Sequence, residues 1–400
     1  MRLPTEAIVC RNTYGNGGWR LEQVDVREPG PGELLVQMVA TGVCHTDISV
    51  GSLPAGSSPI AIYPRVLGHE GTVKCITIFC LFDHADVFGT GSGYVKELGP
   101  GVTRARPGDP VLLSFSSCHE CEICTAGHYA NCLEQRKLFF EGMQQVFAAK
   151  NPHEEINGGF FGQSSFANLS IVREQSVVNV EHLVRSKEEL QLLSPLGCGI
   201  QTGSATVLNV AHASRKDVIC IIGLGGVGLA ALMTARIKEC RKIIGIDRIA
   251  SRLDLATELG ATEVIDSSKL VHDEELKGAV RQATNGIGPT ITIDTTGVPQ
   301  LIEAGLDWTR NRGQYIQVGS PPFDFKLAMD VYGLMEAGKQ FVGAVQGQAY
   351  PQEYLPLMIQ WYRDGLLPME KLVKRYPVSQ FEKAQEEMRS GDAVKPVLCW

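Results

Sequence analysis

The alternation of apolar and polar positions changes character along the chain. Over the first 110 residues, short apolar runs are broken by Gly and Pro, as in "GELLVQMVATGVC" and "YVKELGPGVTRARPGDPVLL". Short runs punctuated by turn formers read as strands, and helical periodicity is weak, so a small, irregular β-rich domain is expected there. From about Val218 the texture becomes apolar strand, glycine-rich turn and helix: "DVICIIGLGGVGLAALMTARIKECRKIIGIDR", then "RLDLATELGATEVIDS", "ITIDTTG" and "GQYIQVGSPP". Strands alternating with helices imply a doubly wound parallel sheet. After Val345 the helix-like "QEYLPLMIQWYRDG" and the stretch "KPVLCW" are assigned back to the first domain. The expectation is an α/β protein with residues 1–199 and 345–400 in the β-rich domain and 200–344 in the parallel-sheet domain. No internal repeat or low-complexity segment is seen.

Composition adds exclusions. At 400 residues, with 44% hydrophobic and 20% charged positions, the chain suits two soluble globular domains and needs no disordered reading. A net charge of −7 without a Lys/Arg cluster argues against nucleic acid and for small-molecule partners. The stretch "MRLPTEAIVCRNTYGNGGW" has no apolar region behind a basic one, so no secretory signal is expected. The apolar run "CITIFCLF" is far below the roughly 20 residues of a membrane helix, so no membrane partner is expected either. A cytoplasmic location follows, and there twelve cysteines serve as ligands or buried thiols rather than disulfides.

"GLGGVG" (Gly223, Gly225, Gly226, Val227 and Gly228 among its positions) sits between the strand "DVICII" and a helix. Free amides at that helix start can receive a pyrophosphate. The next strand, "KIIGID", ends in Asp247, 19 residues beyond Gly228, where a carboxylate accepts from ribose hydroxyls. It would repel a 2′-phosphate, which favours NAD; Arg248 and Arg252 keep NADP open as the alternative. "CHECEICTAGHYANC" places Cys118, Cys121, Cys124 and Cys132 at spacings of three, three and eight. Four thiolates around one zinc leave no open position, so this lobe (118–132) is read as structural.

These motifs, with "GVCHTD" (Gly42–Asp47), "LGHEG" (Leu67–Gly71) and "GCGIQTG" (Gly197–Gly203), resemble the zinc-dependent medium-chain alcohol dehydrogenases, most closely their aryl (benzyl-type) branch. The resemblance implies a GroES-like β-rich catalytic domain, a Rossmann domain, two zincs per chain and NAD. It implies a catalytic zinc held by Cys44, His69 and Cys198. On spacing alone Cys198, more than 120 residues from His69, would read as a buried thiol. The resemblance further gives Thr46 the substrate proton, makes Asp47 the partner of the zinc-bound histidine and puts Glu70 behind the metal. His45, Thr202, Val227, Arg252, Val318 (in "VGSPP") and Lys395 fall at cofactor positions, Lys395 at the pyrophosphate. Ser49 stands where many members have the histidine that ends the proton relay. Phe115, Phe160, Phe161 and Phe166 are candidates for pocket wall or core alike.

The implied reaction interconverts a primary, aromatic or apolar alcohol and its aldehyde in a homodimer or homotetramer. Two alternatives stand beside it: a glutathione-adduct formaldehyde dehydrogenase, and a nucleotide-binding homologue that has lost catalysis. The second arises from about 20 residues, 72–91, that interrupt the family pattern just after His69. They read either as a genuine loop or as translated intron sequence.

Overall fold

"ELLVQMVATG" folds into strand Glu33–Gly42, almost all of it buried, and the rest of its unit is arranged around it. The computed structural model describes residues 2–73, 95–149, 154–270 and 273–400. Two units are present: Met1–Cys198 with Tyr350–Gln360 and Met369–Trp400, and Gly199–Ala349 with Trp361–Pro368.

In the first unit, strands Arg2–Cys10, Trp19–Arg27, Met143–Ala149, Glu155–Gly158 and Arg65–Val66 close into a barrel. A second sheet runs in the order Val177–Asn179, Val111–Leu113, Gly71–Val73, Glu33–Gly42, Lys395–Cys399, Val373–Pro377. Its central three strands matter most for chemistry. Gly71 lies opposite Thr41, and Val397 opposite Gly42, so the ends of three strands converge at one place. Cys44, His69 and Lys395 sit at or beside those ends.

The registers also locate the interruption. Going down Glu33–Gly42, Thr41, Ala40 and Met38 face Gly71, Thr72 and Val73; Val36, Leu35 and Leu34 then face Val95, Glu97 and Leu98. The opposite edge is taken by Leu169–Arg173 and by a 2.7 Å bond from Met38 N to Asn168 O, so both segments lie along the same edge. Val73 and Val95 are thus two places apart along the partner strand but 22 apart in sequence, a surplus of 20 residues. Gly71–Val73 and Val95–Leu98 are two halves of one strand. The expected insert, 72–91, falls mostly outside the described residues, but Thr72 and Val73 are paired strand residues.

The second unit holds a parallel sheet in the order Glu263–Asp266, Lys242–Asp247, Val218–Ile222, Ile291–Asp294, Gln314–Gln317, Gln340–Gly343. Strand Val218–Ile222 is buried throughout, as a central strand covered on both faces must be. The chain order reverses at this strand, and its carboxyl end leads into the glycine turn. That is where open α/β sheets bind ligands. Among the described residues no helix is long and apolar enough to cross a membrane.

Candidate active site and structural metal lobe

A short helix, His45–Val50, brings Cys44 and Asp47 together at its start. The buried Asp47 carboxylate accepts from Cys44 N (3.1 Å), Gly68 N (3.1 Å) and His69 Nδ1 (2.9 Å). Two separate segments are thereby pinned by one side chain. With Nδ1 bound to Asp47, His69 presents Nε2 to the other side, and this fully buried atom has no hydrogen-bond partner of normal geometry. Ligand atoms of Cys44, His69, Glu70 and Cys198 all lie within 4.8 Å of one another. An orphaned imidazole nitrogen facing two sulfurs is what a zinc ion would satisfy, so the donor set fits the metal.

The electrostatics agree with a site built for a cation. Cys44 is lowered well below an ordinary thiol, first by a hydrogen bond from Cys198 and then by His69 and Lys395, against the cost of burial. The same bond, together with burial, raises Cys198. Burial lowers His69, but Asp47 and Cys44 more than offset it and hold it above its usual value. Burial pushes Glu70 up to about 7, with Lys395 pulling the other way.

Lys395, which the resemblance puts at the pyrophosphate, turns its ammonium to Glu70 in this structure. It is 5% exposed, and its ammonium donates to Glu70 Oε1 (2.6 Å) and Val43 O (3.1 Å). The reason is positional: Lys395–Cys399 runs beside Glu33–Gly42, aiming the first side chain at the site. A Cβ on Gly42 would lie 1.9 Å from Glu70 Oε2, so any larger residue there would displace that carboxylate. Thr46 Oγ1 is 3.7 Å from Cys44 Sγ, whereas Ser49 and His45 are exposed on the same helix.

The four candidate phenylalanines are all buried but not equivalent. Phe161 stacks on the His69 ring at 4.4 Å between centroids, and Phe160 meets it edge-on at 5.6 Å. Phe139, which the sequence did not single out, stacks behind Phe161 at 4.4 Å and touches Phe115. Phe166 packs on Trp19 at 6.2 Å, although all four candidates belong to the same core cluster.

The second cluster gathers Cys118, Cys121, Cys124 and Cys132 within 4.8 Å of one another. Cys118 Sγ is 3.4 Å from Cys132 Sγ and 3.9 Å from Cys124 Sγ. A zinc tetrahedron with bonds of about 2.3 Å has edges of about 3.8 Å, so the spacing fits. Amides of Cys121 and Cys118 donate to sulfurs at 3.3 and 3.4 Å, as thiolates require.

In the other unit Gly223 has φ +86°, and a Cβ on Gly228 would lie 1.8 Å from Gly223 O, so the turn admits only glycine at these points. The buried Asp247 accepts from Leu224 N (2.7 Å), Arg248 N (2.7 Å) and Ile249 N (3.0 Å), with Arg252 Nη1 at 3.8 Å. Gly225, Gly226 and Val227 are half-buried around the helix start. Thr202 donates to Gln346 Oε1 (3.4 Å), a buried residue the sequence did not mark. Val318 N donates to Asp294 O (2.9 Å) at the end of its strand.

Family models match most of the chain. "Alcohol dehydrogenase GroES-like domain" matches residues 30–76 and 87–182, and "Zinc-binding dehydrogenase" matches 226–364. The geraniol dehydrogenase of Castellaniella defragrans is 34% identical over 400 residues, covering 99% of this chain and 98% of the relative. Benzyl alcohol dehydrogenase from Acinetobacter calcoaceticus superposes with TM-score 0.84 at 32% identity over 99% of each chain. An alcohol dehydrogenase zinc-binding domain protein from Burkholderia ambifaria gives 0.86 at 33% identity, over 100% of this chain and 99% of the other.

Proposed function

Because this chain belongs to the zinc-dependent medium-chain alcohol dehydrogenase family, we propose that it interconverts a primary aromatic or otherwise apolar alcohol and its aldehyde, using NAD. In the oxidative direction the alcohol gives a hydride to NAD⁺ and a proton to the protein, yielding aldehyde and NADH. The observation that carries this reading is the buried Cys44–His69–Cys198 cluster with an aromatic ring stacked on its histidine. Relatives named for geraniol and benzyl alcohol, both apolar primary alcohols, support the substrate class.

Cys44, His69 and Cys198 would hold one zinc, and the four lobe cysteines a second. A zinc bound by Cys44, His69 and Cys198 would supply Lewis acidity at the substrate oxygen. Thr46 receives the hydroxyl proton, and Ser49, exposed on the same helix, passes it toward water. Asp47 holds the imidazole in one tautomer, and Lys395 acts by fixing Glu70. The glycine turn and Asp247 bind the pyrophosphate and ribose of NAD, with His45, Thr202, Val227, Arg252 and Val318 along the cofactor. Residues 1–199 with 345–400, and 200–344, are the catalytic and cofactor domains. The protein works in the cytoplasm as a homodimer or homotetramer.

The test is NADH absorbance over a panel of benzylic and aliphatic alcohols with metal-replete protein, alongside zinc content. Turnover of benzylic alcohols with two zincs per chain is expected. No turnover on any alcohol, with one zinc bound, would overturn the proposal in favour of a homologue that has lost catalysis.

A further inference from the structure

Behind His69 and Cys198 runs a buried polar chain that no motif marks. Gln163, in "GGFFGQSSF", is fully buried. Its Oε1 accepts from Gly71 N at 3.1 Å, and its Nε2 donates both to His69 O at 2.9 Å and to Ser114 O at 3.0 Å. One amide thus grips the backbone on both sides of Glu70. Ser114, also fully buried, donates its hydroxyl to Gly197 O at 2.7 Å, and Gly197 immediately precedes Cys198. At that point the backbones nearly touch: a Cβ on Gly197 would lie 1.8 Å from Leu113 O. The chain of contacts therefore reads His69 and Gly71, Gln163, Ser114, Gly197, Cys198.

Gln163 itself is well anchored. Its carbonyl receives Ser170 Oγ at 2.6 Å, and its amide is bonded to Phe160 O at 3.0 Å. Both hydrogens of its side-chain amide are committed, and any group left unsatisfied in this interior would carry an uncompensated desolvation cost. The side chain has one satisfactory arrangement, and that arrangement fixes where the His69 segment stands relative to the Ser114 segment.

Resting on the reading of Cys44, His69 and Cys198 as zinc ligands, we propose that Gln163 and Ser114 are positioning residues, a clamp that sets the separation of His69 from Cys198. Neither side chain touches the metal or the substrate; both act through the backbone of the ligands. Outer partners of metal ligands typically change metal affinity by about 10–100-fold when removed. Because the two residues lie in one chain of bonds, their effects should not be independent.

The experiment compares parent, Gln163→Met, Ser114→Ala and the double variant as full-length, metal-replete protein. Readouts are zinc content, rates of zinc release to a chelator, the visible spectrum after cobalt substitution and the melting temperature. The parent is expected to hold two zincs released in two phases. Q163M should accelerate one phase about 10–100-fold, shift the cobalt spectrum and leave the lobe zinc phase unchanged. S114A should act in the same direction but less, and the double variant should fall short of the product of the two effects. A two-zinc parent whose Q163M variant keeps the parent's release rates and cobalt spectrum overturns the clamp alone. A parent with one zinc overturns the zinc reading and the clamp with it. Should Q163M fail to fold, S114A, which leaves every Gln163 bond in place, decides at Cys198: parental release and spectrum overturn the clamp.

Discussion

Asp47 serves three donors with two oxygens, and that economy makes it sensitive to the smallest change. Asn at 47 would turn an amide hydrogen toward a backbone N–H or the imidazole, whichever way it rotates. Asp47→Asn should therefore weaken the adjacent zinc by about 10–100-fold, read as faster release to a chelator with the lobe zinc unaffected. Asp247 likewise has two roles. Its carboxylate ties the glycine turn to the following turn through three amides, besides its proposed ribose contact. Asp247→Gly should raise the NADP⁺/NAD⁺ ratio of kcat/KM and also destabilise the protein by about 1–3 kcal/mol, measurable as a lower melting temperature. At this scale, charged and sulfur residues were legible because their spacing or their motif carries the chemistry. Gln163 and Ser114 were not, since uncharged polar residues reveal a role only once distant backbone has been folded against them. Lys395 shows the converse: its motif position was readable, but the direction of its ammonium depends on which strand lies alongside.

Among elements, the parallel sheet was readable because a strand covered on both faces appears as an unbroken apolar run, as in "VICII". The barrel was less so. Its member Arg65–Val66 has only two residues and is a strand by virtue of its partners Val9 and Cys10, which no local pattern announces. The split strand adds a prediction. Joining Lys74 directly to Val95 removes 20 residues and makes the backbone continuous in register from Gly71 to Leu98. That deletion variant should fold, hold both zincs and melt no lower than the parent, by zinc content and thermal unfolding; loss of the zinc beside His69 would contradict the register reading. The family match, which lapses over residues 77–86, falls inside the same interval. A transcript that joins the codons of Gly71 and Ser92 identifies intron sequence, whereas peptides from within the segment in native protein identify a genuine loop.

For the whole molecule, the second unit leaves an edge. Gln340–Gly343 is the last strand of the parallel sheet, its Phe341 partly exposed and stacked on Tyr315. Nearby in sequence, Val331, Tyr332 and Met335 project from one helix at 71, 68 and 68% exposure. Among the described residues no strand pairs with the outer side of Gln340–Gly343, and the proposed oligomer would be served by this edge and the exposed apolar side chains together. Phe341→Lys combined with Met335→Glu should lower the mass seen by light scattering to that of one chain; an unchanged oligomer would place the interface elsewhere. The split strand of the other unit has a different kind of consequence. The chain carries 20 surplus residues between two hydrogen-bonded halves of a strand, and the first half begins two residues after His69. That junction is a natural grafting port. A foreign receptor domain spliced there should transmit the changing distance between its own termini to His69, coupling the proposed alcohol oxidation to an unrelated signal.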